Sequence, residues 1–285
     1  MAVTIRRFDM MKHRFTRSIF IALAICLPIV SIALSAAPVP ANALTARQIM
    51  EKVDARDDGD NMTADMEMIL IDKNGHERVR KIKTFSKDRG NDTLKIMFFL
   101  KPADVKNTGF LTYDYYSSGR DDDQWIYLPE LHKTKRIASS DKSSAFMGSD
   151  FSYADMTKRV LDEWKYKILK EAEVRGHKVW LIEAIPSNRI IEDRYGYTKS
   201  VLFVRQDIFM VVRGVHWVKE GKKLKYFDIR KLEQIDDIWV GTEIHMKTNK
   251  GKQTIHRSVF KWHNIKFNQD MDEDLFTVRR LEKGI

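Results

Sequence analysis

The residues able to do acid–base, nucleophilic or metal chemistry are scattered along this chain. Of its eight histidines, His76 and His177 flank turns, while His216, His245, His256 and His263 fall in strand patterns. No two have the close spacing of a zinc ligand pair, although strand histidines distant in sequence can still meet in space. Asp121-Asp122-Asp123 cannot all face one cation from a strand, because successive side chains point to opposite faces, so the run reads as a solvated hairpin tip. Asp57-Asp58-Gly59-Asp60 lacks calcium-loop spacing and reads as a turn, and Ser149-Asp150 suits a cap as well as a catalytic pair. There is no phosphate-binding glycine loop, nucleophile elbow or His-Glu-x-x-His pair. The sole cysteine, Cys26, lies near the N-terminus, so no thiol chemistry is available to the rest of the chain. No catalytic, cofactor-binding or metal-ligating residue is assigned on this basis, no cofactor is expected, and the chain does not read as an enzyme.

What the chain holds in quantity is soft apolar surface, with 13 methionines and 11% aromatic residues. Such side chains build an ordinary core, and they also line cavities that adapt to acyl chains of varied shape. The pattern from Leu44 to Arg56 predicts a short amphipathic helix, with Thr45 as its cap. Strands dominate thereafter. Residues 62–72 alternate, placing Ala64, Met66, Met68 and Leu70 on an inward face and Glu67 outward. Asn74-Gly75 then signals a hairpin. By the same alternation Leu94, Ile96, Phe98 and Leu100 are expected inward and Lys95 outward.

Further strand signals recur up to residue 262, separated by short turns. Together they predict a mainly β fold: a curved antiparallel half-barrel sheet with a few helices forming a lid. One segment breaks the rhythm. Residues 139–160 are rich in Ser and Asp yet carry Phe146, Met147, Phe151, Tyr153 and Met156, as a loop and short helix lying across the sheet would. The candidate ligand-binding residues are therefore Met66, Met68, Leu70, Leu94, Ile96, Phe98 and Leu100 in the sheet, with Phe146, Met147 and Phe151 in the lid.

The first 43 residues read differently from the rest. A basic stretch from Arg6 to Arg17 precedes an apolar run, Ile19–Leu34, and the segment ends in Ala41-Asn42-Ala43. These are the three parts of a secretory signal peptide, and the expected organisation is a leader at 1–43 and one domain at 44–285. The alternative is an uncleaved anchor, which Pro28 and the Ala-x-Ala site argue against. Without the leader the net charge falls from +10 to about +6, spread thinly along the chain. Export and the absence of a basic cluster make nucleic acid a poor partner.

Ser139-Ser140-Asp141-Lys142-Ser143, followed by Phe146-Met147-Gly148-Ser149-Asp150-Phe151-Ser152-Tyr153, resembles the signature of the outer-membrane lipoprotein-sorting-like family, related to the periplasmic carrier LolA. Glu51-Lys52-Val53-Asp54, Asp123–Pro129, Gly196–Ser200, Asn268-Gln269-Asp270 and Asp274-Leu275-Phe276 match as well, so the resemblance spans residues 44–285. It implies a half-open barrel, closed by a lid, that holds lipid or lipoprotein acyl chains in the periplasm. It also implies a possible partner, an inner-membrane exporter of the resistance-nodulation-division (RND) type. A carrier to or from the outer membrane is the first functional expectation. A non-catalytic accessory subunit of such an exporter is the second, and a cofactor-free enzyme a remote third.

Overall fold

The computed structural model describes residues 44–117 and 119–285; the expected leader at 1–43 lies outside the described residues. Helix α1 (Ala46–Asp54) starts where the Thr45 side chain accepts the Gln48 N–H and the Gln48 side chain accepts the Thr45 N–H, a reciprocal capping box. Six strands follow as a meander: β1 (Asn61–Asp72), β2 (Glu77–Arg89), β3 (Asp92–Lys101), β4 (Gly109–Asp114), β5 (Asp123–Leu128) and β6 (Lys133–Arg136). The turn between β1 and β2 uses Gly75 at a φ of +89° and the Asp72 carboxylate, which accepts the backbone N–H groups of Asn74 and His76.

A second meander holds β7 (Trp164–Val174), β8 (His177–Pro186), β9 (Tyr197–Arg205), β10 (Met210–Val218), β11 (Lys223–Ile235), β12 (Ile238–Lys250) and β13 (Gln253–Phe267). Helix α2 (Arg189–Tyr195) sits between β8 and β9, and α3 (Val278–Lys283) follows β13.

The two meanders become one sheet because β1 pairs with β13 along its whole length, from Met62↔Phe267 to Asp72↔His256. The strand order is β6-β5-β4-β3-β2-β1-β13-β12-β11-β10-β9-β8-β7, antiparallel throughout and not closed into a barrel. β6 and β7 are thus the two outer edges although they are consecutive in sequence. The chain between them, from Ile137 to Glu163, must cross the sheet, and it does so as a string of short 3-10 turns. That crossing is the lid expected at 139–160. Strand β6 and helices α2 and α3 were not foreseen: Lys133-Thr134-Lys135-Arg136 has no apolar residue to mark a strand, and the two helices are short.

Pairing settles which side chains share a face. Met66 lies beside Ile82, which lies beside Phe99, whereas Asp65 lies beside Lys83 and then Phe98. Leu94, Ile96 and Phe98 therefore stand on the face opposite Met66 and Met68, correcting the expectation that both sets point inward together. They pack with Leu111, Met271, Phe276 and Leu281 beneath the C-terminal segment. Gly109 makes room there, since a Cβ on it would lie 2.6 Å from Leu281 Cδ1. Strand β3 is buried on both faces, which is why Ile96-Met97-Phe98-Phe99 is apolar without a break.

Leu100 is 41% exposed because it falls in a bulge, the pairing jumping from Phe99↔Ile82 to Lys101↔Lys81. Lys95 is also not on a solvated face. Its Nζ donates to Asp114 Oδ2 at 2.6 Å, a carboxylate 4% exposed, and to the Met156 carbonyl at 3.3 Å.

The three consecutive aspartates are not a solvated tip either. Asp121 takes the buried Lys142 ammonium at 2.5 Å and Arg194 Nε at 3.3 Å, tying the first lid turn and α2 to the β4–β5 connection. Asp123 takes Arg136 and the Tyr115 hydroxyl. Asp122 accepts the Tyr115 N–H at 2.9 Å, and burial, with Asp114 nearby, pushes its carboxyl up to about 6. A folded-state pKa above the unfolded value of about 3.9 means that stability present below pH 4 is lost as the pH rises through 6. Asp122→Asn should therefore stabilise the protein by about 1–3 kcal/mol at pH 7 and by almost nothing at pH 4, as urea unfolding at the two pH values would read.

Candidate functional site: a cavity beneath the lid

The lid is held down mainly by one carboxylate. Asp150, whose side chain is 1% exposed, accepts Ser258 Oγ–H at 2.7 Å and the Thr248 hydroxyl, and lies 2.7 Å from His256 Nδ1. Its own N–H donates to Ser258 Oγ at 2.8 Å. Those partners are neighbours on β12 and β13 (Thr248↔His256) and face the lid. Phe151 then stacks on Phe260 with ring centroids 4.3 Å apart. Phe146 packs against Phe110 and Tyr153 at 4.9 and 5.7 Å. Arg80 of β2 donates to the Met147 carbonyl, and Met147 takes a left-handed φ of +48° at the apex.

Asp150 is thus a fastener, while Ser149 Oγ bonds the Phe151 backbone, so the two side chains do not form a catalytic couple. Asp150→Ala leaves three side chains without their acceptor, and breaking such a buried cluster costs about 3–5 kcal/mol. Thermal or urea denaturation should show a loss of that size, with intact secondary structure by circular dichroism.

Beside the fastened part, between α1, the end of the lid and the concave faces of β9–β12, lies a cavity of about 310 Å³. Its apolar wall comes from Met50 and Val53 of α1, Phe151 and Leu161 of the lid segment, and Leu202, Val211, Phe227 and Met246 of the sheet. The volume is at the lower end of the roughly 300–1,000 Å³ common for small-ligand sites. Near the end of α1, Arg56 donates to the carbonyls of Asp57 and Trp239, and Lys158 pairs with Asp58 at 3.1 Å. Burial raises the Asp54 carboxyl there, against the pull of Lys158.

The cavity's polar wall is a connected network. Asp155 accepts the Ser152 N–H at 2.8 Å and the Tyr197 hydroxyl at 2.7 Å. Burial would raise this carboxyl, but Lys225, His216 and those hydrogen bonds hold it below its usual range. Tyr197, fully enclosed, is pushed well above its ordinary value by burial and by Asp155. Its ring stacks on His216 at 4.8 Å, and His216 Nδ1 is 2.8 Å from Ser200 Oγ. Burial, then the Arg159 charge, pulls His216 down to about 3.

A Ser–His pair invites a hydrolase reading, but the chemistry is unfavourable. Ser200 is 0% exposed, Asp155 spends its bonds on Ser152 and Tyr197, and an imidazole titrating near 3 is a weak general base at neutral pH. His216 should keep a neutral ring from pH 8 to pH 5. An NMR titration of its Cε1 proton should be flat over that range.

Of the ten residues proposed from the sequence, Phe151 alone lines this cavity. Met66, Met68, Leu70, Phe146 and Phe151 belong to one closed cluster under the lid, with Met147 packed at its margin. Leu94, Ile96 and Phe98 are on the convex side, and Leu100 is exposed. The residues missed in its largely apolar lining were Met50, Val53, Leu161, Tyr166, Leu202, Val211, Phe227 and Met246. Alternation within β9–β12 carried a signal for several of them, but nothing local says which concave strands stay uncovered. Among the described residues, no group of three or more His, Cys, Asp or Glu side chains could hold a metal ion.

Solved structures share this fold of an open antiparallel sheet. A DUF1329 family protein from Desulfovibrio piger superposes with a TM-score of 0.75 at 26% identity, covering 83% of this chain and 97% of that one. A domain from Vibrio parahaemolyticus, described as an outer membrane lipoprotein-sorting protein, gives 0.75 at 27% identity, with 83% and 98% covered. A LolA superfamily protein from Nitrosomonas europaea gives 0.62 at 19% identity, with 84% and 100% covered, and shows the fold alone. Residues 91–283 match the model of a family described as "Uncharacterized protein", and the chain belongs to that family. No match is found among curated proteins.

Proposed function

We propose that this protein is a periplasmic carrier that takes lipid or lipoprotein acyl chains for transport to or from the outer membrane. The observation that carries this reading is the apolar cavity bounded by a lid that polar contacts fasten to the sheet. Each buried methylene contributes about 0.8 kcal/mol, so an acyl chain gains affinity without polar contacts along its length. The resemblance to lipoprotein-sorting and LolA-type structures supports the same reading.

Met66, Met68 and Leu70 lie on the same concave face as the cavity's Phe227 and Met246, linked through β13 and β12. Lifting Phe146, Met147 and Phe151 would extend the apolar floor from the cavity to those residues, giving a larger cargo room and a way to leave. A second reading, an accessory subunit of an RND-type exporter, draws on edge strand β7, which pairs only with β8 and exposes Leu169 by 45%.

Native mass spectrometry of protein purified from its own periplasm tests the choice. Lipid adducts are expected; a bare mass with a co-purifying membrane protein would favour the exporter subunit. In a fluorescent fatty-acid binding assay, Phe227→Glu and Met246→Glu, each first shown folded, should lose at least about tenfold in affinity, because an unpaired carboxylate in an apolar wall costs several kcal/mol. Leu100→Glu, exposed in its bulge, should stay within twofold. Equal affinity in all three would remove the cavity from the carrier reading.

A further inference from the structure

The polar wall of the cavity contains a cation without an anion. Arg159 leaves the lid segment just before β7, and its guanidinium lies 4.4 Å over the Trp164 ring, with Tyr195 and Tyr197 at 5.8 and 5.9 Å. Its hydrogen-bonding neighbours among the described residues are Ser200 Oγ at 3.4 Å and His216 Nδ1 at 3.5 Å, both at the long limit. Those two atoms already face each other at 2.8 Å. No carboxylate among the described residues lies within ion-pair distance of Arg159, whereas the neighbouring Lys158 is matched by Asp58.

Three acids also line the cavity, but their charges are directed elsewhere. Asp155 is bonded to Ser152 and Tyr197, and Asp58 to Lys158. The charges that act most on Asp54 are those of Lys158, Asp58, Asp114 and Arg47, which groups it with the Lys158 pair and apart from Arg159.

Arginine side chains keep their charge in proteins, and the planar fork of Arg159 offers five N–H donors of which two have marginal partners. Stacking on aromatic faces occupies the plane of the guanidinium and leaves its edge free. A second group nearby is also unsatisfied: Tyr166 lines the same cavity, its hydroxyl is buried without a partner, and Arg159 is the charge that acts on it most strongly. Beyond these donors the wall turns apolar, through Leu202, Phe227 and Met246. A fixed positive charge at one side and an apolar wall beyond it match a molecule with an anionic head and a hydrocarbon tail.

We infer that the cavity selects amphiphiles with an oxyanionic head group, carboxylate or phosphate, seated on the Arg159 edge with the chain along Leu202, Phe227 and Met246. This deepens the carrier reading and rests on it. The neutral amphiphile, which keeps the chain and loses the charge, separates the two claims.

The experiment is isothermal titration of the full mature chain at low ionic strength with laurate, dodecyl phosphate, methyl laurate, dodecanol and inorganic phosphate. Wild type should bind laurate and dodecyl phosphate at least tenfold more tightly than methyl laurate and dodecanol. Arg159→Gln should bring the four within about threefold by weakening only the anions, and Arg159→Lys should restore part of the preference. Equal wild-type affinity for laurate and methyl laurate overturns the head-group inference and leaves the carrier standing; binding of no amphiphile overturns both. Inorganic phosphate binding as tightly as dodecyl phosphate overturns the role of the chain. Should Arg159→Gln fail to fold, the wild-type comparison decides, with Arg159→Lys as the folded variant.

Discussion

The pairing of β1 with β13 brings together segments nearly 200 residues apart and turns two meanders into one sheet. Its consequence is topological. Once those strands are central, β6 and β7 become opposite edges, and the chain joining them has to travel across a face of the sheet. The lid therefore exists because the sheet is continuous. Asp150 works for the same reason: its partners on β12 and β13 lie on the far side of that seam from the meander the lid has just left. Without the β1–β13 pairing there would be two smaller sheets, with no shared face for the lid to cross.

Coverage is uneven, and the unevenness makes the cavity. Over β1–β5 and β13 the lid residues Phe146 and Phe151 pack against Phe110 and Phe260. At β7–β9 helices α1 and α2 fill the face with Ile49, Ile191 and Tyr195. Between these covers, over β9–β12, neither reaches fully, and apolar side chains from both meet a polar network that is satisfied except at Arg159 and Tyr166. The convex side is treated differently again: the C-terminal segment seals β3–β5 there, and β3 is apolar on both faces.

Much of the architecture was legible in the residues. Alternation placed Met66, Met68 and Leu70 together, Asn74-Gly75 announced its hairpin, Thr45 announced a helix start, and the odd composition of residues 139–160 announced a crossing segment. The site was less legible. Leu94, Ile96 and Phe98 alternate as cleanly as Met66 and Met68, but alternation says only that two residues share a face. Which face is buried by which partner depends on α3, some 180 residues away. The buried ion pair of Lys95 with Asp114, and the partition of Asp121, Asp122 and Asp123 among three environments, were hidden for the same reason.

By itself, then, the chain's pattern determined a mainly antiparallel sheet, its turns and a lid-like interruption, because strand alternation, turn residues and capping act between near neighbours. Only the tertiary structure decided that β1 and β13 form the seam of the sheet, which apolar face is concave, that Asp150 is a fastener, and where space remains. Register between β1 and β13 and the reach of α1 and the lid are long-range properties. A cavity is the volume that such elements fail to fill, and no single stretch of sequence encodes it.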